Sequence, residues 1–175
     1  MPVSSDTPTN IVAGAGEVYR NQQSFGASRD ANVFRIEREL VTPEINGVKG
    51  MLQGTDYIRR SEGILETTVL EVSSSSLPSM WPGSQTATNG TVTTIDEDGT
   101  RRIPTSAYAD WELQLERLGG GEFQFEVDNA LHVGNFESEF ADDGFFGTRL
   151  ELHSRWDPVD TDTSPHRIRV MTVVS

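Results

Sequence analysis

The stretch Trp111-Glu112-Leu113-Gln114-Leu115-Glu116, followed by Gly119-Gly120-Gly121 and then Phe123-Gln124-Phe125-Glu126-Val127-Asp128, decides the fold. In both arms apolar residues alternate with Glu, Gln or Asp. A period of two sends successive side chains to opposite faces of a strand, whereas a helix would need a period near 3.6. The glycine run lets the chain reverse, so the whole stretch reads as an antiparallel hairpin with one apolar and one acidic face.

The same alternation recurs to either side. Leu150, Leu152 and Trp156 alternate with Arg149, Glu151, His153 and Arg155, which places Trp111 and Trp156 in phase with core residues. Phe34, Ile36 and Leu40, with Arg38 among them, oppose Arg35, Glu37 and Glu39. Residues 63–72 carry the β-branched set Thr67, Thr68, Val69 and Val72. Residues 11–19 read as a first strand in which Gly14 and Gly16 mark a bulge or a close backbone approach, with a turn at Gly26-Ala27-Ser28. Residues 168–174 read as a closing edge or pairing strand.

Helical signals are scarce. Residues 73–76 are four serines, followed by Leu77-Pro78-Ser79-Met80-Trp81 and a Pro82-Gly83 stop, the pattern of one short capped helix. Its Leu77, Met80 and Trp81 are placed to plug an open end of the β structure. The expected fold is therefore mainly β: an antiparallel sandwich or barrel with one short α-helix and long loops, in a single domain over residues 1–175.

Two connections stand out. Residues 41–60 are broken by Pro43, Asn46-Gly47, Gly50 and Gly54, and Asn46-Gly47 signals a protruding type I′ hairpin. That segment still carries Met51, Leu52, Tyr57 and Ile58 ahead of Arg59 and Arg60, an apolar content that suits contact with a neighbouring subunit better than water. A second, solvent-exposed hairpin is expected to turn at Asp96-Glu97-Asp98-Gly99, between residues 91–95 and 101–103. Residues 1–10 and 157–164 are rich in Ser, Thr, Asp and Pro and are expected to order only on assembly.

The composition excludes whole chemistries. With no cysteine there is no disulfide, thiol nucleophile or cysteine-held metal. Fourteen Lys and Arg against 27 Asp and Glu leave a net charge of -13, and Lys49 is the only lysine, which disfavours binding nucleic acid through phosphates. Gly14-Ala15-Gly16 meets Tyr19 where a dinucleotide fingerprint needs its third glycine, and Gly119-Gly120-Gly121 lacks the lysine of a phosphate loop. His132, His153 and His166 are too far apart to form a close ligand pair, and no Gly-x-Ser-x-Gly elbow occurs. The acidic groups at Asp96 to Asp98 and at Asp157, Asp160 and Asp162 do not match calcium-loop spacing and read as solvated loops. No run approaches the ~20 apolar residues of a membrane span, and residues 1–10 hold no leader pattern, so a soluble, cytoplasmically made, non-enzymatic protein is expected.

The order of these segments resembles the major tail protein, or tail tube protein, of long-tailed, non-contractile bacteriophages. The likeness spans nearly the whole chain: Ala13-Gly14-Ala15-Gly16-Glu17-Val18-Tyr19, the turn at Gly26-Ala27, Phe34-Arg35-Ile36-Glu37-Arg38-Glu39, Ile45-Asn46-Gly47-Val48-Lys49-Gly50, residues 54–60, Leu65-Glu66-Thr67-Thr68-Val69-Leu70-Glu71, the helix ending Trp81-Pro82-Gly83, and Leu150-Glu151-Leu152-His153-Ser154-Arg155-Trp156-Asp157-Pro158. Residues 84–105 find no counterpart.

The resemblance implies a β-sandwich or barrel subunit that forms homo-hexameric rings stacked into a hollow tube for DNA, in the tail of the virion. It implies contacts with a tape measure protein and with tail-tip and tail terminator proteins, and no cofactor or catalytic residue. An acidic lumen would suit DNA passage, because carboxylates repel the duplex over about a Debye length, ~8 Å. Glu112, Glu116, Glu126 and Asp128 are the candidate lumen residues, and Met51, Leu52, Tyr57, Ile58, Arg59 and Arg60 the candidate inter-ring or inter-subunit contacts. The rival readings are another β-rich virion protein (a tail terminator or decoration protein) and a carbohydrate-binding β-sandwich module.

Overall fold

The computed structural model describes residues 16–43, 54, 56–70, 73, 75–97, 99, 102–116, 121–140, 146–160 and 162–171. Strands β1 (Glu17–Arg20), β2 (Gln23–Val41), β3 (Tyr57–Val69), β4 (Ser84–Asn89), β5 (Val92–Glu97), β6 (Ala109–Glu116), β7 (Glu122–His132), β8 (Glu137–Phe140), β9 (Phe146–His153) and β10 (His166–Met171) carry the fold among the described residues, with a short helix, α1 (Leu77–Met80), and a 3-10 turn at Thr105–Ala107. The expected mainly antiparallel β architecture is what the chain adopts.

Eight strands form one sheet in the order β10-β7-β6-β1-β2-β3-β9-β8. β7 also pairs β9, through Leu131 opposite His153 and His132 opposite Leu152, so β7, β6, β1, β2, β3 and β9 close into a ring. The free edge of β7 is thus divided, its first half taken by β10 and its end by β9. Closure pairs backbone groups that an open sheet would leave to water or to another chain.

The hairpin legible from alternation is β6–β7. Leu113 lies opposite Phe125 and Leu115 opposite Phe123 on one face, with Glu112 opposite Glu126 and Glu116 opposite Glu122 on the other. The apolar face joins Val18, Leu65, Val69, Trp111, Val127, Leu150 and Leu152 in the core. Phe25 meets Trp111 edge to face at 4.8 Å between ring centres, and Phe34 reaches Phe125 at 5.3 Å, geometries that favour aromatic pairs beyond simple burial. From α1, Met80 is fully buried in this core, while Leu77 is half-buried and Trp81 stacks on Phe136 at 5.3 Å.

Several local expectations are corrected. The first reversal falls at Asn21-Gln22, whose φ values of 49° and 64° are the two positive angles a type I′ turn requires, and not at Gly26-Ala27-Ser28. Gly26, at φ 147°, sits inside β2 at a bulge: Val18 pairs Gly26 and Tyr19 pairs Ser24, leaving Phe25 as the extra residue. Gly16 is a close approach, as read: a Cβ there would lie 2.2 Å from the Gln114 carbonyl oxygen. Gly14 and the rest of residues 11–15 lie outside the described residues.

The exposed hairpin is β4–β5, turned at Gly90-Thr91, so Asp96 and Glu97 are strand residues near its base. Asn89-Gly90 was the turn signal. Tyr57, Ile58, Arg59 and Arg60 open β3, where Tyr57, Ile58 and Arg60 pair with the end of β2 and Arg59 is the extra residue of a bulge, so the connection is shorter than residues 41–60; Asn46-Gly47, Met51 and Leu52 lie outside the described residues. Leu40, opposite Ile58 near the end of β2, is exposed. Trp111 is core as expected, but Trp156 is 43% exposed because β9 ends at His153 and the pleat no longer sets its direction.

Candidate assembly surfaces

The outer face of β1, β6, β7 and β10 gathers the polar positions of all four strands. Register places Glu17 beside Gln114, Glu112 beside Glu126, Glu116 beside Glu122, and Arg167 beside Glu126. The four candidate lumen residues, Glu112, Glu116, Glu126 and Asp128, therefore share one face. They are not equivalent. Glu116 is exposed, and Glu112 accepts a hydrogen bond from Gln114 Nε2 at 2.6 Å.

Glu126 is 8% exposed and lies between two arginines of β10: Arg169 Nε at 2.9 Å from Oε1, and Arg167 Nε at 2.8 Å from Oε2. The Arg167 contact is one of charge, since its Nε–H lacks hydrogen-bond alignment; its Nη2 instead donates to Asp128 Oδ2. The face thus carries Glu17, Glu112, Glu116, Glu122, Glu126 and Asp128 against Arg167 and Arg169, a net acid surface whose two cations are already held by carboxylates.

The outer face of β2, β3 and β9 is built differently, as alternating charge. Arg35 binds Glu66 and Glu37, Arg149 Nη2 donates to Glu66 Oε2 at 3.1 Å, and the His153 ring bridges Glu62 at 2.8 Å and Glu151 at 3.1 Å. Ile64 is 1% exposed but does not belong to the core cluster. It lies opposite Arg35 on one side and His153 on the other, so this network roofs it. Arg35, with Arg149 behind it, holds the Glu66 carboxyl below its ordinary value against the opposing effect of burial. At Glu62 burial pushes the other way, and the hydrogen bonds from His153 and Arg155 outweigh it, again leaving a lowered carboxyl.

No family model matches the chain, and no curated protein matches its sequence. Function is therefore argued from these surfaces.

Two more of them bear on assembly. β10 pairs only with β7 among the described residues, so its other edge is open. On its inner face Ile168 lies opposite Phe125 and Val170 opposite Phe123, and the two β10 residues remain 50% and 52% exposed, an apolar flange continuous with the core. At the opposite end of β3, Tyr57 and Ile58 are about half exposed, and Arg59 and Arg60 frame a cleft of about 560 Å³.

Alternation alone showed the acidic face but not its neutralisation. Arg167-Ile168-Arg169-Val170 repeats the period of two, and that signal was available. Which strand it would pair with was not, because the partners Glu126 and Arg167 are separated by a long stretch of chain.

Proposed function

We propose that this chain is a structural virion protein that polymerises, as stacked hexameric rings, into the hollow tail tube of a long-tailed, non-contractile bacteriophage. The observation that carries the reading is the β10 edge. The ring of six strands closes, yet β10 keeps an edge unpaired among the described residues, as does β8 at the other end of the sheet, and beside half-exposed Ile168 and Val170 the β10 edge offers a ready seam for another sheet. Natural monomers usually blunt such an edge, and here only Arg167 and Arg169 stand along it, on the polar face and engaged by Glu126 and Asp128. A ring consumes such edges by symmetry.

In this reading DNA passes through the tube without specific binding, and the acidic face of β1, β6, β7 and β10 lines the lumen. The tape measure, tail-tip and terminator proteins are the partners, and neither cofactor nor catalytic residue takes part. A tail terminator or decoration protein would share the seam but stop at a single ring or at isolated subunits. The carbohydrate-binding rival gains the exposed Trp156, but that ring stands in an arginine-lined cleft and not on an aromatic platform.

The experiment is to replace Ile168 and Val170 together by Lys. Both positions are half exposed, so the barrel should fold with an unchanged far-ultraviolet spectrum, while polymerisation is lost. Normal tubes from this variant would remove β10 as the seam.

A further inference from the structure

The cleft at the start of β3 concentrates positive charge in a strongly acidic protein. Arg38, Arg59, Arg60 and Arg155 line it together with Ile58 and Trp156. The chain has 14 Lys and Arg in all, one of them Lys49, and a net charge of -13, so four arginines about one cleft is a marked local excess.

The internal partners do not balance that excess. Arg60 and Arg155 share a single carboxylate, Glu62, which His153 also contacts. Arg59 is paired with Glu39 at 3.1 Å. Arg38 has no ion pair among the described residues; its field falls on His166, whose imidazole is pushed below its ordinary value chiefly by burial and further by Arg38. Four guanidinium groups thus face two carboxylates. The floor is fixed: a Cβ on Gly63 would lie 2.4 Å from His166 Cβ, and Ser61 Oγ and Ser154 Oγ flank the His166 ring at 3.2 and 3.4 Å.

The rim is apolar as well as cationic. Ile58 is 51% exposed, Trp156 43%, and Leu40, opposite Ile58 in register, 66%. A small free anion would satisfy the arginines but leave these side chains in water. An occupant that covers both must present carboxylates next to an apolar side chain.

The protein's own surface offers such a segment. Val159 is 93% exposed, the most exposed large hydrophobic residue described, and stands between Asp157 and Asp160. Against the expectation that residues 157–164 order only on assembly, the segment is held by its own turn hydrogen bonds: Asp157 Oδ1 accepts from the Val159 N–H at 2.7 Å, and Asp160 Oδ1 accepts from the N–H groups of Asp162 and Thr163 at 3.1 and 3.2 Å. A preformed loop loses less conformational freedom on docking.

We propose that the arginine cleft is a subunit–subunit docking site that receives the Asp157-Pro158-Val159-Asp160 segment of a second copy of this chain. Val159 packs against Ile58 and Trp156, and the two aspartates take the guanidinium charge that Glu62 and Glu39 leave unmatched. This deepens the assembly reading and rests on it in requiring that copies associate.

The test uses the full chain, whose lack of cysteine makes introduced thiols unique. Ile58→Cys and Val159→Cys are prepared separately, mixed under assembly conditions and oxidised. The expected result is a mixed disulfide between two chains, formed far more in the mixture than in either variant alone. Arg38→Glu, at an exposed residue with no ion pair among the described residues, is expected to raise the concentration needed for association by about tenfold, an effect that high salt shrinks in the wild type by screening the same charges.

Absence of the mixed disulfide in material that does associate overturns the proposal. So does Arg38→Glu protein that builds tubes as readily as wild type, and that outcome leaves the tube reading standing. A mixed disulfide formed without tubes supports the docking site and contradicts the tube. If inorganic phosphate saturates the cleft while Val159→Asp leaves association unchanged, the site is one for small anions and the second-copy occupant is wrong. A chain that stays monomeric at every concentration overturns both readings.

Discussion

Arg167 of β10 lies against Glu126 of β7, Nε to Oε2 at 2.8 Å, and with Arg169 it encloses a carboxylate that is 8% exposed. Glu112 stands directly opposite Glu126 on the other side. Two carboxylates facing each other across a ladder are unfavourable, and the arginines of the neighbouring strand offset that. Replacing both Arg167 and Arg169 by Gln should therefore destabilise the fold by about 2 kcal/mol, less than for a fully buried pair because both guanidinium groups are partly solvated. Adding Glu126→Gln should restore much of the loss. Urea unfolding of the double and triple variants checks this; equal stability of the two would show that the pairs carry no weight.

Glu112 and Glu116 are the two candidate lumen residues on this face that no arginine holds among the described residues. Their replacement by Lys should leave the subunit folded and assembly intact but slow DNA ejection from otherwise normal particles, because free cations on the wall would bind phosphates. Ejection kinetics measured by dye entry would decide, and an unchanged rate would move this face away from the lumen.

Gly63 of β3 backs onto His166, and a methyl group there would come within 2.4 Å of His166 Cβ. Gly63→Ala should cost about 1–3 kcal/mol by overpacking, and should loosen β10 in particular, since His166 is its first residue. Amide exchange should quicken across β10 before it does in β6. Uniform exchange rates with unchanged stability would mean that the contact yields without cost.

Stability should fall steadily on acidification. Burial lowers the imidazoles of His132 and His166 from their ordinary 6.5, so below that pH the unfolded chain takes up protons that the folded one does not. The lowered carboxyls of Glu62 and Glu66 act in the same direction from 4.5 downward, where the unfolded carboxylates are protonated first. The stabilisation from all four groups is present above these unfolded values and lost as pH drops through the folded ones. Urea midpoints should decline from about pH 7.5 to about pH 5.5, and His132→Gln with His166→Asn should flatten that limb. A midpoint that rises on acidification would contradict the assignment.

The fold was legible wherever one strand face is buried and the other wet, because the period of two is then written plainly, as in β6, β7 and β9. It was less legible where a backbone irregularity shifts the phase. The extra residue Phe25 shifts β2 against β1, a second irregularity between Arg29 and Val33 shifts it against β3, and the end of β9 frees Trp156. Asn21-Gln22 lacks the glycine that usually announces a type I′ turn, so Gly26 drew the turn to itself. The β4–β5 hairpin was hidden because its arms, Ser-Gln-Thr-Ala-Thr-Asn and Val-Thr-Thr-Ile-Asp-Glu, bury almost nothing and show no apolar alternation.

For the candidate surfaces, alternation placed the acidic residues on one face, whereas the partners that neutralise them are set by pairing between distant strands. The arginine cleft is assembled from β2, β3 and the segment after β9, and only the three-dimensional fold brings Arg38, Arg60 and Arg155 together.

Electron microscopy of concentrated purified protein shows whether the subunit polymerises. Hollow rods of uniform width and variable length, with six-fold symmetry in cross-section, are the expected result. Protein that remains monomeric, or that closes into single rings and never extends, would contradict it.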